Sequence, residues 1–221
     1  MMATLLTASL KDQYAALQAE RARSWSPAQL AGNARQRQLL VDRFDPASVA
    51  QPGSTLPDSE LIDVEGGAVS LDALTDNGPA LLIFFRFAGC PACNIALPHY
   101  AEQLFPVLAK RNIPLVAISP QQPEALRDIG RRHDLPFRVT TDRDNGLARH
   151  LGITFAPDDQ PSPPPAGWIG EVTGTGNWAL PQPAVVLVGP GRELLWLHVS
   201  PDWLDRPEAS DIAAAVDRLT V

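Results

Sequence analysis

Residues 81–100, "LLIFFRFAGCPACNIALPHY", hold both cysteines of the 221-residue chain, Cys90 and Cys93. The first half belongs to "PALLIFFRF", a continuous apolar run bounded by Pro79 and Gly89. Such a run reads as a strand buried on both faces of a sheet. The second half predicts a helix from Pro91 to about Arg111. Proline is favoured at the first helical position, which makes Cys90 the N-cap and Cys93 the third helical residue. The unpaired N–H groups and the dipole of a helix start favour negative charge. A thiolate there has a lowered pKa, and the thiolate is the nucleophile. Two thiols one turn apart can close a disulfide with little backbone movement, so strand, turn, Cys-x-x-Cys and helix together make a redox arrangement. Two other readings of the pair stand beside it. A structural zinc site needs four ligands, yet the chain has no second Cys-x-x-Cys, and His99, His133, His150 and His198 are scattered. Two inert buried thiols are the plainer alternative, since free cysteine is often simply core.

Outward from this stretch, strands and helices alternate. "IPLVAIS" (113–119) is a second buried strand and "PEALRDIGRRHDL" (123–135) a helix; "PFRVTTD" (136–142) is a short strand and "NGLARHLG" (145–152) a short helix. Upstream, "ELIDVEGGAVSLDAL" (60–74) reads as a strand, a Gly66-Gly67 turn and a second strand. Downstream, "AVVLVGPGRELLWLHV" (184–199) is a strand pair turned at Gly189-Pro190-Gly191, and "EASDIAAAVDRL" (208–219) an amphipathic helix capped by Ser210. This order predicts an α/β fold, a central mixed β-sheet flanked by helices. Residues 9–43 read as two helices, the first with Leu10, Tyr14, Leu17 and Arg21 at helical spacing, the second with Ser26 as N-cap and Pro27 at the first position. That hairpin is either solvated or a contact in a homodimer. The division is an N-terminal helical extension and linker, residues 1–52, and a main domain, residues 53–221.

Of the 22 prolines many gather at residues 156–183, one long functional loop holding Trp168 and Trp178. In the expected fold this loop approaches the cysteines, where Trp178 shields the disulfide or contacts a partner, or else pins the loop to the core. The net charge of −7 argues against a nucleic-acid partner. No apolar run is long enough for a bilayer, and the N-terminus lacks the basic start of a secretory signal. A lone cysteine pair without a leader reads as a cytoplasmic protein with reactive thiols. His99 lies two turns past Cys90 and reads as packing or surface; Trp196 and His198 read as structural.

Five segments, "TLPDSELIDVEGGAVSLDAL", "LLIFFRFAGCPACNIAL", "LVAISPQQPEAL", "LPFRVTTDRDNGLARHLGI" and "LPQPAVVLVGPGREL", carry a resemblance in order and spacing. From Gly53 to about Leu219 the chain resembles the thioredoxin-fold redoxins, and most of all the peroxiredoxin-like group of the alkyl hydroperoxide reductase/thiol-specific antioxidant superfamily. The resemblance implies a thioredoxin-like fold and a thiol-dependent oxidoreductase. The family's Pro-x-x-x-Thr-x-x-Cys pattern puts the peroxidatic cysteine at Cys93, its threonine position at Cys90 and its proline position at Arg86. Pro183 stands where the family has an arginine near the final strand pair. The groups that polarise a peroxide are thus missing from their usual places. Other features are similar to thioredoxin. Cys90 occupies the attacking-cysteine position, Pro98 that of a helix-kinking proline, and Pro183 that of a cis-proline, which implies a cis Gln182–Pro183 bond. The buried acid of thioredoxins is Phe84 here. Arg86 assists electrostatically if it faces the cysteines, or else it is an exposed or ion-paired strand-end residue. Two chemistries follow from the resemblance. In hydroperoxide reduction Cys93 attacks and Cys90 resolves; in protein disulfide exchange Cys90 attacks first. A non-catalytic redox-sensing module is the third reading. Neither chemistry calls for a metal or organic cofactor, and both need an external thiol reductant, a thioredoxin or glutathione system.

Overall fold

Ser9 and Ser26 start the first two helices by accepting hydrogen bonds from backbone N–H groups of the first turn. The computed structural model describes residues 8–220. Helix α1 (Leu10–Ser24) is followed by α2 (Pro27–Arg43), where Ser26 and Gln29 form a reciprocal capping box and Pro27 takes the first position. The leading stripe of α1 is buried within its own chain: Leu10, Tyr14 and Arg21 are 0%, 3% and 6% exposed. Neither the solvated hairpin nor the dimer contact is therefore needed to account for that face.

Strands β1 (Glu60–Asp63) and β2 (Ala68–Ser70) form a hairpin across Gly66 and Gly67, both at positive φ. The second strand ends early. The Ser70 hydroxyl accepts from the Ala73 N–H, and "LDALT" becomes helix α3 (Leu71–Thr75) where strand was expected. Strand β3 (Ala80–Phe84) leads into α4 (Pro91–Gln103) and α5 (Phe105–Ala109). The expected single helix is thus two. Pro98 lies inside α4, and the break falls at Leu104, where Pro106 has no N–H to continue the ladder. Then come β4 (Leu115–Ser119), α6 (Pro123–Arg132), β5 (Arg138–Thr141), α7 (Gly146–His150) and the two-residue β6 (Thr154–Phe155). Helix α8 (Ile169–Thr173) and β7 (Leu180–Pro181) follow within the proline-rich loop. The chain ends with β8 (Ala184–Val188), β9 (Leu194–Val199) and α9 (Ala209–Leu219). The cap of α9 is Glu208, not Ser210, which lies inside the helix.

The seven-stranded sheet has the order β2-β1-β5-β4-β3-β8-β9. Strands β3, β4 and β5 are parallel; β8 and β9 extend the sheet antiparallel beside β3. Every residue of β3, β4 and β8 is buried, as a central strand covered on both faces requires. Alternation along β3 sends Leu81, Ile83 and Phe85 toward the cluster that holds α1, α4, α6 and α9, and Leu82 and Phe84 toward α3 and α7. Each such side chain contributes about 1.5–3 kcal/mol by leaving water. Phe84, the counterpart of the thioredoxin acid, therefore faces away from the cysteines.

Candidate active site

The chain leaves β3 and turns through Phe87, Ala88 and Gly89 before α4 begins. Four hydrogen bonds fix that turn. The Cys90 N–H donates to Phe87 O at 3.1 Å, the Ala88 N–H to Gln121 Oε1 at 2.7 Å, and Asn94 Nδ2 to both Ala88 O (2.7 Å) and Cys90 O (2.9 Å). Asn94 Oδ1 in turn accepts from Arg132 Nη1 and meets His133 Nε2, at 3.0 and 2.8 Å. Cys90 is the N-cap and makes no side-chain cap bond; Pro91 opens the helix. Both cysteines are free thiols, 2% (Cys90) and 0% (Cys93) exposed.

Arg206, on the segment between β9 and α9, donates from Nη2 to Cys93 Sγ at 3.3 Å and is itself 8% exposed. It is held there by its Nε, which donates to Trp203 O at 3.1 Å. Its Nη1 is buried and has no hydrogen-bond partner among the described residues. Arg86 lies across Trp203, its guanidinium carbon 4.3 Å from the ring centroid, with Phe155 and Phe87 at 5.6 and 5.8 Å. Arg86 is thus half-buried and has no ion-pair partner among the described residues: it is caged by aromatic faces beside the cysteine pair, and its buried Nε is also unpartnered there. Tyr14, from α1, closes the site on the other side, with its hydroxyl 3.4 Å from Ala92 O.

This environment separates the two thiols. Burial pushes Cys93 up, but the Cys90 S–H, the charge and hydrogen bond of Arg206 and the Arg86 backbone N–H outweigh it and hold Cys93 well below the ordinary thiol range. Cys90 moves the other way: donating to Cys93 and being buried both keep it protonated. The surroundings thus favour negative charge on Cys93 and the proton on Cys90. Burial also raises the Tyr14 phenol, which stays neutral. The helix start and Arg206 both favour negative charge at Cys93, so the site carries its own means of lowering that thiol's pKa.

The other expected participants lie further off. Trp178 packs on Trp168 with centroids 4.7 Å apart, and no hydrogen bond or ring contact joins it to the cysteines among the described residues. Its loop reaches the site indirectly, through Gln121 Nε2, which donates to Val172 O at 3.1 Å. Pro183 is buried, but the Gln182–Pro183 bond is not cis; among the described residues the cis bond is Ser162–Pro163. Pro183 enters β8 as an ordinary strand-edge proline, its carbonyl accepting from the Ser200 N–H at 2.7 Å. His99 is buried, bonded to Gln13 and 3.5 Å from Glu208. Among the described residues no group of three His, Cys, Asp or Glu is gathered that could hold a metal ion. A groove of about 910 Å³ lies at the opposite end of the sheet, lined by Leu74, Pro79, Phe105, Ile113, Leu135 and Phe137, away from the thiols. Sequence reasoning missed Arg206, Trp203 and Asn94. Tyr14 alone had a signal, its place on the apolar stripe of α1.

Comparison with known proteins agrees with this geometry. The most similar solved structures include peroxidoxin BcpB from Mycobacterium tuberculosis, 18% identical with a TM-score of 0.60 over 77% of this chain and 99% of that one. Xanthomonas campestris bacterioferritin comigratory protein is 13% identical with a TM-score of 0.61 over 77% and 100% of the two chains. A Cys-to-Ser mutant of peroxiredoxin 6 from Arenicola marina is 22% identical with a TM-score of 0.59 over 76% and 72%. No match is found among curated proteins. Residues 52–196 match the AhpC/TSA family, two-thirds of the chain, with the Cys-x-x-Cys helix start inside the match. A mixed thioredoxin-like sheet, a Cys-x-x-Cys pair at a helix N-terminus and that match together place the chain in the AhpC/TSA family, as a peroxiredoxin-like thiol oxidoreductase.

Proposed function

We propose that the protein reduces hydroperoxides, with Cys93 as the attacking thiolate and Cys90 as the resolving thiol. The observation that carries this reading is the buried Arg206 Nη2 donating to Cys93 Sγ at 3.3 Å. It supplies, from an unexpected element, the cation that the family position at Pro183 lacks. Protein disulfide exchange needs Cys90 to be accessible and ionised; it is 2% exposed and its pKa is raised.

The reaction balances as follows. The Cys93 thiolate attacks the terminal oxygen of ROOH, an S–O bond forms, the O–O bond breaks, and the alkoxide takes a proton to leave as ROH. The buried Nη1 of Arg206, unpartnered among the described residues, supports this step as a donor for the oxygen charge that develops. The Cys90 sulfur then attacks the Cys93 sulfenic acid; the S–S bond forms, the S–O bond breaks, and hydroxyl departs with the Cys90 proton as water. Overall, one thiolate, one thiol, ROOH and a proton give a disulfide, ROH and water. An external thiol, from a thioredoxin or glutathione system, returns two electrons. Stopped-flow addition of hydroperoxide to the reduced protein tests the reading. We expect a second-order rate far above that of a free thiol, lost in Cys93→Ser, and a product two mass units lighter. A rate no better than a free thiol, or efficient insulin-disulfide reduction through Cys90 instead, would sink it.

A further inference from the structure

Part of the enclosure of the cysteine pair comes from outside the stretch of chain that matches the family. Tyr14 and Arg37 lie before residue 52, and Asp202, Trp203, Arg206 and Glu208 lie after residue 196. These two segments are tied to each other. Glu208 accepts from the Leu10 and Lys11 N–H groups at 3.0 and 3.1 Å, capping α1. Arg37 of α2 grips Asp202 through two bonds, of 2.7 and 2.5 Å. Helices α1 and α2 and residues 200–208 therefore make one cover. Beneath it both sulfurs are essentially inaccessible, so no external thiol can reach a Cys90–Cys93 disulfide while the cover is shut.

The charge under that cover is finely placed. Among the described residues no carboxylate pairs with Arg206; its one anionic hydrogen-bond partner is Cys93 Sγ. A buried cation stripped of its counter-ion is strongly unfavourable. Oxidation to the disulfide does just that, since it consumes the thiolate charge and leaves Nη2 as well as Nη1 without a partner. We propose that the Cys93 thiolate is the counter-ion that holds this cover closed, and that forming the Cys90–Cys93 disulfide releases it, exposing the disulfide to its reductant. Only the last clause rests on the hydroperoxide reading; the link between thiolate charge and closure does not.

Amide hydrogen exchange on the full-length protein tests the proposal. In the reduced state residues 10–24 and 200–208 are expected to be protected. After disulfide formation, by one equivalent of hydrogen peroxide or independently by diamide, their exchange should accelerate by about tenfold or more, while β3, β4 and β8 stay unchanged. Cys93→Ser removes the charge without any oxidation and should exchange like the disulfide form. Arg206→Met removes the cation and should abolish the difference between redox states. Equal protection of the cover in dithiol and disulfide forms overturns the proposal. So does a Cys93→Ser protein as protected as the reduced wild type, or an Arg206→Met protein that keeps the full redox difference. If peroxide leaves both thiols free while the diamide-formed disulfide opens the cover, the proposal stands and the hydroperoxide reading falls.

Discussion

Arg206 is a buried charge whose worth depends on one sulfur atom. Its own pKa is driven further up: burial opposes the charge, but Cys93, Tyr14 and Cys90 more than offset it. The same pairing holds Cys93 down. Removing the guanidinium should therefore raise the thiolate's pKa and slow its attack on a peroxide together. For Arg206→Met the second-order rate with hydroperoxide is expected to fall by about 10²–10³, the usual cost of losing one donor aimed at developing oxygen charge. Arg206→Lys keeps the charge without the planar fork and should recover part of the rate. Following thiolate ultraviolet absorbance against pH checks the cause. A variant whose Cys93 titrates as in wild type, or whose rate is unchanged, would show that Arg206 serves only to pack. Cys90 and Cys93 were legible in the sequence because Pro91 fixes their register on a helix start. Arg206 was not, because residues 200–208 have no periodicity from which a face could be read, and its partner lies 113 positions away.

At the scale of the element, local rules decided where helices begin, and tertiary contacts decided where those rules failed. Ser26, Pro27 and Gln29 carry a complete start signal, and the structure uses all of it. Ser26→Ala is expected to cost about 1 kcal/mol, within the range of about 0.5–2 kcal/mol for a lost cap. Denaturant unfolding measures this; a loss below a few tenths would mean that α2 is held by Arg37–Asp202 and Arg43–Asp158 rather than by its own start. Ser70 also caps a helix, but by its hydroxyl alone, without the proline and glutamine of the Ser26 signal, and Ala68–Ser70 reads as the second arm of a hairpin. Ser210 failed for another reason. The carboxylate of Glu208 binds the N-terminus of α1, and α9 starts from that residue instead. The central strands were readable because burial on both faces leaves an unbroken apolar run. The sheet order was beyond reach of such runs, as was the packing of α1 on the site, because both depend on pairings between distant segments.

Three histidines give the whole molecule a pH-dependent stability. His99, His133 and His198 all lie below the ordinary value of 6.5, with burial the largest cause in each. Each is bound to a different part of the structure: His99 to Gln13 of α1 and near Glu208, His133 to Asn94 behind the cysteine turn, and His198 in β9 beside Trp196. A depressed histidine pKa means that the folded state binds fewer protons than the unfolded chain once the pH falls below 6.5. Its contribution is thus complete above that value and is lost as the pH drops from 6.5 toward the folded-state pKa. The carboxylates act lower. Asp202 is pushed up by burial, but the Arg37 bond and the Leu204 N–H outweigh this and hold it below its ordinary 3.8, so its contribution survives until the pH nears that value. Asp142, raised by burial despite N–H bonds from Leu147 and Ala148, works in the opposite sense and is relieved on acidification. With histidines titrating first, unfolding free energy should decline as the pH is lowered from about 7 to about 5. His99→Gln, which removes one of the three while keeping an amide able to face Gln13, should flatten that slope. Denaturant titrations across this interval measure both effects. A stability that holds level or climbs as the pH falls would show that the relief of Asp142 outweighs the three imidazoles.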